Sequence, residues 1–226
     1  MIERGIVCRG QVIPGTERVI RDSAAWWTRG RETRPRGWPI DLLVGHWTAG
    51  RPRAGPSSGL AVWRAMEGRT GDGGRDLSVS VHLIVGWDGL IWQTLDLAEA
   101  AVHVGHRPTI ARSIGVETCW PGTASQAARL GADGIAEARR VGGQRVRCMR
   151  PSDELLEAWR WLGETLAGPA ARAHGIEIPR RAAPADRRLT AAELAAHRGA
   201  CEHLHIPGSM KVDAGGYLVE ALGWPT

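Results

Sequence analysis

Apolar and polar positions alternate with a period of two in several short segments of the chain. Residues 78–85 show this alternation over eight positions, which is the pattern of a half-buried strand. Asp88-Gly89 follows at once, and Asp-Gly between two apolar alternations is a strong signal for a hairpin turn. We therefore predict that residues 90–93 pair back antiparallel on this strand.

Two further predicted strands carry side chains that could act in binding or catalysis. The apolar run of residues 40–44 predicts a buried strand that leads directly into His46, so this histidine is expected to project into a cleft. Residues 113–118 place Glu117 on the same face of a second strand as Gly115. Since glycine has no side chain, there is room beside Glu117 for another group to approach.

Helical periodicity follows in the second half of the chain. Residues 151–154 have the sequence PSDE and predict a helix start, and the apolar stripe from Leu155 to Leu166 predicts the principal helix packed on the sheet. Shorter helices are expected over residues 59–68 and 191–196. Gly, Ala and Arg dominate residues 121–150, which we interpret as an inserted loop with a weak helix near residues 135–140.

Strands and helices in this mixture indicate an α/β fold with a central mixed β-sheet flanked by α-helices. A chain of 226 residues is compatible with one globular domain. Within it we expect an irregular N-terminal arm over residues 1–40, with one edge strand near residues 18–20, and a main domain over residues 41–226.

Composition narrows the classes of protein. No window approaches 18 consecutive apolar residues and residues 1–10 do not form a secretory signal, so we expect no membrane insertion and a cytoplasmic chain. Four widely spaced cysteines predict free thiols. A formal net charge of +5 predicts attraction to polyanions, but no nucleic-acid-binding motif accompanies it and nucleic acid is not an expected partner.

Histidines supply the candidate metal ligands. A metal site needs three or four N, O or S ligands that converge from separate elements. His203 and Asp213 are ten residues apart across a Pro-Gly loop and can reach one ion. His197 and His205 are alternatives for the same position, and the spacing alone leaves the choice open.

Five segments, in order, resemble the N-acetylmuramoyl-L-alanine amidase type 2 family, which includes phage endolysins, a cytosolic amidase of anhydromuropeptide recycling and peptidoglycan recognition proteins. Residues 45–50 resemble its first-ligand segment, and residues 79–89 its strand and D-G hairpin. The other three similarities are residues 101–105 to the W-H-A-G stretch, 113–117 to S-I-G-I-E, and 211–215 to K-x-D-P-G. The ordered set covers roughly residues 40 to 220.

The resemblance implies a single amidase domain with zinc in a surface cleft, acting on the lactyl-amide bond of peptidoglycan. It implies His46, His203 and Asp213 as zinc ligands, with His203 preferred to His197 for its spacing and flanking residues. Glu117 would be the general base and Lys211 would stabilise the oxyanion.

Other roles stay open within the resemblance. His103 is a candidate for substrate contact or for a structural role. Trp47 is a candidate for lining a substrate groove, with core packing as its alternative. Two residues depart from the family pattern: Val81 stands where some phage members have a tyrosine, and Ala214 stands where proline is usual.

Three functions compete on this evidence. We expect a monomeric phage or prophage endolysin that waits in the cytoplasm and then degrades the cell wall. The alternatives are a cytosolic recycling amidase and a non-catalytic peptidoglycan-binding module of the same fold.

Overall fold

The computed structural model describes residues 1–22, 31–33, 38–48, 59, 61–64, 79–132, 134–209 and 211–226. The strands are β1 (Ile2–Arg4), β2 (Val7–Cys8), β3 (Gln11–Val12), β4 (Val19–Asp22), β5 (Arg31–Thr33), β6 (Leu42–Trp47), β7 (Leu83–Val85), β8 (Ile91–Gln93), β9 (Glu99–Ala101), β10 (Ser113–Thr118), β11 (Ala136–Val141), β12 (Gln144–Met149) and β13 (Gly199–Glu202). The helices are α1 (Arg107–Ile110), α2 (Ala124–Leu130), α3 (Asp153–Leu166), α4 (Pro169–Ala173), α5 (Ala191–Ala196) and α6 (Tyr217–Leu222), and a 3-10 turn spans His203–His205.

Seven of these strands form the central sheet, in the order β1-β4-β8-β7-β10-β6-β13. The pairs β7–β10, β10–β6 and β6–β13 are parallel, whereas β7–β8 and β1–β4 are antiparallel. The sheet is therefore mixed and flanked by helices, which confirms the predicted fold class. Among the described helices, none combines the length and apolar character needed to cross a membrane.

One face of the sheet is packed against α3 and α6. A side chain added at Gly45 would meet Leu218 Cδ1 at 2.4 Å and Trp159 Cη2 at 3.2 Å, so the glycine allows α3 and α6 to approach the strand closely. Ile114 and Val116 of β10 belong to the same apolar core. Successive residues of a strand face opposite sides, so His46 and Glu117 lie on the other face.

Local sequence signals located helices α3 and α5. Ser152 caps α3 by accepting a hydrogen bond from the Leu155 N–H at 3.2 Å, and the predicted apolar stripe is buried against the sheet. Helix α5 has the bounds that were predicted. The Asp88-Gly89 turn joins β7 to β8 as an antiparallel hairpin, which confirms that prediction too.

The strand predicted over residues 78–85 is shorter than expected, because regular pairing begins only at Leu83. Its alternation does not continue to Val81, which packs on the opposite side of the sheet from Leu83. The cause is His82, whose Nδ1 accepts the Gly115 N–H at 3.0 Å. A side chain thus takes the place of a strand carbonyl at this point.

The prediction for residues 121–150 was wrong. They form α2 and a hairpin of β11 and β12, and Thr123 with Gln126 makes a capping box for α2. Gly142 and Gly143 connect the hairpin with φ angles of +54° and +84°. Positive φ at both central residues is typical of a two-residue hairpin turn, and this Gly-Gly pair was the overlooked signal.

The N-terminal arm is also more regular than predicted. The segment near residues 18–20 belongs to β4 and is not an edge strand. Strand β4 pairs with β1 on one side and with β8 on the other. Residues 61–64 of the helix predicted over residues 59–68 are helical, and residues 60 and 65–68 lie outside the described residues. All four cysteines are buried free thiols, as predicted.

Candidate metal centre

The candidate metal centre lies at the carboxyl ends of three neighbouring parallel strands. His46 is near the end of β6, Glu117 is near the end of β10, and His203 directly follows β13. The strand order β10-β6-β13 brings these ends to one edge of the sheet, where open α/β sheets commonly bind ligands. Sequence segments far apart in the chain therefore meet because of parallel pairing.

Three potential ligand atoms converge at this edge. His46 Nδ1 lies 3.0 Å from His203 Nδ1 and 3.6 Å from Asp213 Oδ2, and His203 Nδ1 lies 3.3 Å from the same oxygen. All three residues are buried, and in the described part of the chain they form a group that can hold a metal ion. Two atoms bound to one tetrahedral zinc ion would lie roughly 3.3 to 3.6 Å apart. Both distances to Asp213 Oδ2 fall in this range and the two histidine nitrogens are slightly closer, so a small separation of the two rings would let the N, N, O donor set hold this metal.

A second histidine fixes the orientation of the His46 ring. His103 Nδ1 lies 2.9 Å from His46 Nε2, and His103 Nε2 lies 2.8 Å from Ser113 Oγ. The Nε2 side of His46 is thereby engaged, and Nδ1 faces the other two candidate ligands. Partners of this kind orient metal-binding histidines and set their tautomer.

Electrostatics keep His46 and Asp213 in states that can bind a cation. Burial lowers the pKa of His46 from 6.5 to about 4, so the imidazole is neutral at neutral pH and has a lone pair to offer. Burial alone would raise the pKa of Asp213, but hydrogen bonds with His203 and His46 lower it below its ordinary value. A neutral imidazole and an ionised carboxylate are the forms that ligate metals.

The structure brings His203, and not His197 or His205, to His46. His197 ends α5, and its Nε2 lies 3.0 Å from the Ala200 carbonyl oxygen. In His205, Nε2 lies 2.8 Å from the Pro184 carbonyl oxygen, and Nδ1 accepts the Glu202 N–H at 2.8 Å. The ring nitrogens of both alternative histidines therefore contact backbone groups and not His46.

Glu117 is the register partner of His46 across the parallel pair β10–β6. Its side chain points to the same face of the sheet, and the residue is only 8% exposed. The space above neighbouring Gly115 is filled by the His103 ring, because an added Cβ would lie 2.5 Å from His103 Cγ. The side-chain-free position noted in the sequence thus accommodates the residue that orients His46.

Lys211 is exposed on the loop between His203 and Asp213. Its positive charge is close enough to contribute, as the smallest cause, to the lowered pKa of His46. The lysine thus lies within electrostatic reach of the three converging side chains.

Trp47 lies on the opposite face of β6 from His46. Its ring packs edge-on against Trp120, with ring centroids 5.2 Å apart, and the residue belongs to the main apolar core. This location favours core packing over substrate contact. Trp92 of β8 is likewise buried, in a second apolar cluster.

Sequence reasoning missed three side chains that hold the loop around Asp213. Arg188 donates to the carbonyl oxygens of Leu204 and Lys211 at 2.9 Å each. Arg139 of the β11–β12 hairpin donates to the Gly215 carbonyl oxygen at 2.9 Å. Glu202 accepts four backbone hydrogen bonds, two from the segment after Asp213 and two from the start of α6. The Arg-rich composition of residues 121–150 was the one signal near Arg139, and composition does not identify partners.

Comparisons with known proteins agree with this architecture. Among curated proteins, no match to the chain was found. Human PGRP-IBETAC in complex with glycosamyl muramyl pentapeptide is 13% identical over 93% of this chain and 95% of that chain, with a TM-score of 0.52. The PGRP-LCa and PGRP-LCx ectodomain complex with bound tracheal cytotoxin is 13% identical over 88% and 92%, with a TM-score of 0.51. At these identities the likeness shows the fold alone.

The family assignment comes from the sequence itself. The family model described as N-acetylmuramoyl-L-alanine amidase matches residues 36–215, most of the 226-residue chain. This range contains every ordered segment on which the resemblance rested, and the resemblance is confirmed. The chain belongs to the N-acetylmuramoyl-L-alanine amidase family.

Proposed function

We propose that the protein is a zinc-dependent amidase that hydrolyses the bond between N-acetylmuramic acid and L-alanine in peptidoglycan. The observation that carries the proposal is the convergence of His46, His203 and Asp213 within 3.0 to 3.6 Å of one another. Three protein ligands leave one position of a tetrahedral ion for water or substrate, which is the arrangement of catalytic zinc sites.

Glu117 and Lys211 have separate tasks in this proposal. When bound, zinc supplies Lewis-acid polarisation and lowers the pKa of water. Glu117, beside His46 on the neighbouring strand, takes the proton from the attacking water at its carboxylate and later delivers it to the leaving nitrogen. Lys211 Nζ stabilises the negative charge that develops on the former carbonyl oxygen.

His103 acts on this chemistry through His46. Its contacts with His46 and Ser113 hold the His46 ring in one orientation. We assign it to ligand orientation in preference to substrate contact, because both of its ring nitrogens are engaged by neighbouring side chains.

For the biological setting, we propose a monomeric endolysin that acts on polymeric peptidoglycan. The net charge of +5 supports this setting, because a basic protein is attracted to an anionic wall. A recycling enzyme would instead act on soluble anhydromuropeptides, and the two substrates provide the test.

Zinc analysis and product release test the proposal directly. Wild-type protein, His46→Ala and Glu117→Ala are compared on purified sacculi and on soluble anhydromuropeptide, with zinc content and new amino termini as readouts. We expect about one zinc and peptide release for wild type, loss of both in His46→Ala, and retained zinc with about 100- to 10,000-fold slower release in Glu117→Ala.

Two outcomes would contradict the proposal in different ways. Wall binding by wild type without new amino termini would assign the protein to a non-catalytic binding module. Faster release from anhydromuropeptide than from sacculi would overturn the endolysin setting and leave the amidase chemistry in place.

A further inference from the structure

Glu202 is a fully buried carboxylate beside the candidate metal centre. It is the last residue of β13, it directly precedes His203, and its exposure is 0%. Burying a carboxylate is costly unless its oxygens receive hydrogen bonds. The partners of those oxygens therefore indicate what this side chain does.

Both carboxylate oxygens of Glu202 accept hydrogen bonds from the segment that follows Asp213. Oε2 accepts the N–H groups of Ala214 at 3.0 Å and Gly216 at 2.7 Å. Oε1 accepts the N–H groups of Leu218 at 2.8 Å and Val219 at 3.0 Å.

These donors include the first N–H groups of helix α6, which are buried. The first N–H groups of an α-helix have no partner within the helix, and Gly216, the residue that caps α6, has no side chain to supply one. Glu202, at the end of β13, supplies the acceptor for these N–H groups. The carboxylate thereby attaches the beginning of α6 and the residue after Asp213 to the end of β13.

The consequence is a fixed distance between two candidate ligands. His203 is joined to Glu202 by one peptide bond, and Asp213 is joined by one peptide bond to Ala214. The Leu204 N–H also donates to the Asp213 carbonyl oxygen at 2.6 Å. In contrast, Gly208 and Lys211 in the connecting loop are exposed, so contacts at the loop ends set the separation of His203 and Asp213.

We propose that Glu202 is a positioning residue whose carboxylate holds Asp213 at a metal-binding distance from His203 before any metal arrives. This inference rests on the proposed zinc function, since the benefit of positioning is a higher metal affinity. The Glu202 side chain itself does not touch the ion or the substrate.

The first test measures zinc affinity by competition with a chromophoric chelator. Glu202→Gln keeps the size of the side chain but replaces one acceptor oxygen with an NH2 group, which two backbone N–H donors would then face. We expect circular dichroism like that of wild type and a zinc Kd about 10 to 100 times higher, the range for residues that orient ligands.

Glu193→Gln is the matched control. Glu193 also accepts an N–H at a helix start, that of Thr190 at 2.7 Å, but it belongs to α5 and a glutamine can maintain its capping box. We expect its zinc Kd to equal that of wild type. A Glu202→Gln protein with a lower melting temperature but an unchanged zinc Kd would make Glu202 purely structural and overturn the proposal.

The second test needs no substitution and applies even if Glu202→Gln does not fold. Hydrogen exchange of the Ala214, Gly216, Leu218 and Val219 amides is measured in wild-type protein with a zinc chelator and with added zinc. Prior positioning predicts protection of these amides in the chelator-treated protein. Protection that appears only with zinc would show that the metal orders the loop and would overturn the proposal.

The failures of the two proposals can be told apart. If wild type takes up no zinc, the proposed amidase chemistry and this inference fail together. If wild type takes up about one zinc and Glu202→Gln binds it equally well, the amidase proposal stands and only the role of Glu202 is rejected.

Discussion

The two faces of strands β6 and β10 differ in composition, although alternate residues of the same strands form both faces. Gly45, Ile114 and Val116 point toward α3 and α6, where packing excludes water. His46 and Glu117, one position further along each strand, point to the candidate metal centre. Alternation along a strand thus separates the residues that stabilise the fold from those that line the candidate metal centre.

A glycine on each face shows the same division. Gly45 permits close packing of Leu218 and Trp159, whereas Gly115 permits close approach of the His103 ring. One residue type thus allows close packing on one face and the approach of a candidate ligand's partner on the other. Substitutions matched across the two faces should therefore have effects of different kinds.

The largest expected effect is a loss of zinc affinity on substitution of His203, with His197, which lies away from the candidate metal centre, as the comparison. His203→Ala removes a candidate ligand, and we expect zinc affinity to fall by more than the roughly 100-fold found for residues that only orient ligands. His197→Ala should keep its zinc, because its ring bonds the Ala200 carbonyl oxygen. Zinc content after dialysis measures both, and retention of zinc in the His203 variant would reject that ligand.

Adding a side chain at Gly115, on the face of the candidate metal centre, should have the next largest effect. In Gly115→Ala the new Cβ would displace the His103 ring, breaking its 2.9 Å contact with His46 Nε2. We expect zinc affinity to fall about 10- to 100-fold. Chelator competition measures the change, and an unaltered Kd would mean that His103 does not orient the ligand.

Filling the glycine on the packing face should change stability instead. In Gly45→Ala the added Cβ would collide with Leu218, and overpacking of this kind costs about 1 to 3 kcal/mol in the free energy of unfolding. Denaturant unfolding measures the loss. Zinc affinity per folded molecule should equal that of wild type, and a parallel fall in zinc affinity would contradict the separation of the two faces.

Signals within a short stretch of sequence predicted much of this fold. Strand β10, the start and apolar stripe of α3, the position of α5 and the Asp88-Gly89 hairpin each follow from periodicity or turn chemistry that acts over a few residues. The β11–β12 hairpin was missed because its Gly, Ala and Arg composition was given more weight than its alternation around Gly142 and Gly143.

The site was harder to predict because its parts meet only through tertiary structure. Spacing in the sequence left His197, His203 and His205 as alternatives, and the parallel pairing of β13 with β6 is what brings His203 to His46. The partners of Glu202 lie 12 to 17 residues away and are reached only when α6 docks on the sheet. No local pattern carries that information.

The smallest expected effect concerns His205, a histidine used for packing and not for the metal centre. Burial lowers its pKa from 6.5 to about 4, and protonation of Nδ1 would set a new N–H against the Glu202 N–H that it now accepts. Between pH 6.5 and 4 the unfolded chain therefore binds more protons than the folded protein, and stability falls as the pH falls. From pH 6.5 to 5.5 this single group should cost about 1 kcal/mol.

His205→Gln isolates this contribution because glutamine does not titrate. Wild type and variant are unfolded by denaturant at pH 6.5 and 5.5 with a zinc chelator present, and other ionisable groups cancel in the difference between the two proteins. We expect the wild-type free energy of unfolding to fall by about 1 kcal/mol more than that of the variant. An equal fall in the free energy of unfolding of the two proteins would mean that burial does not hold His205 neutral.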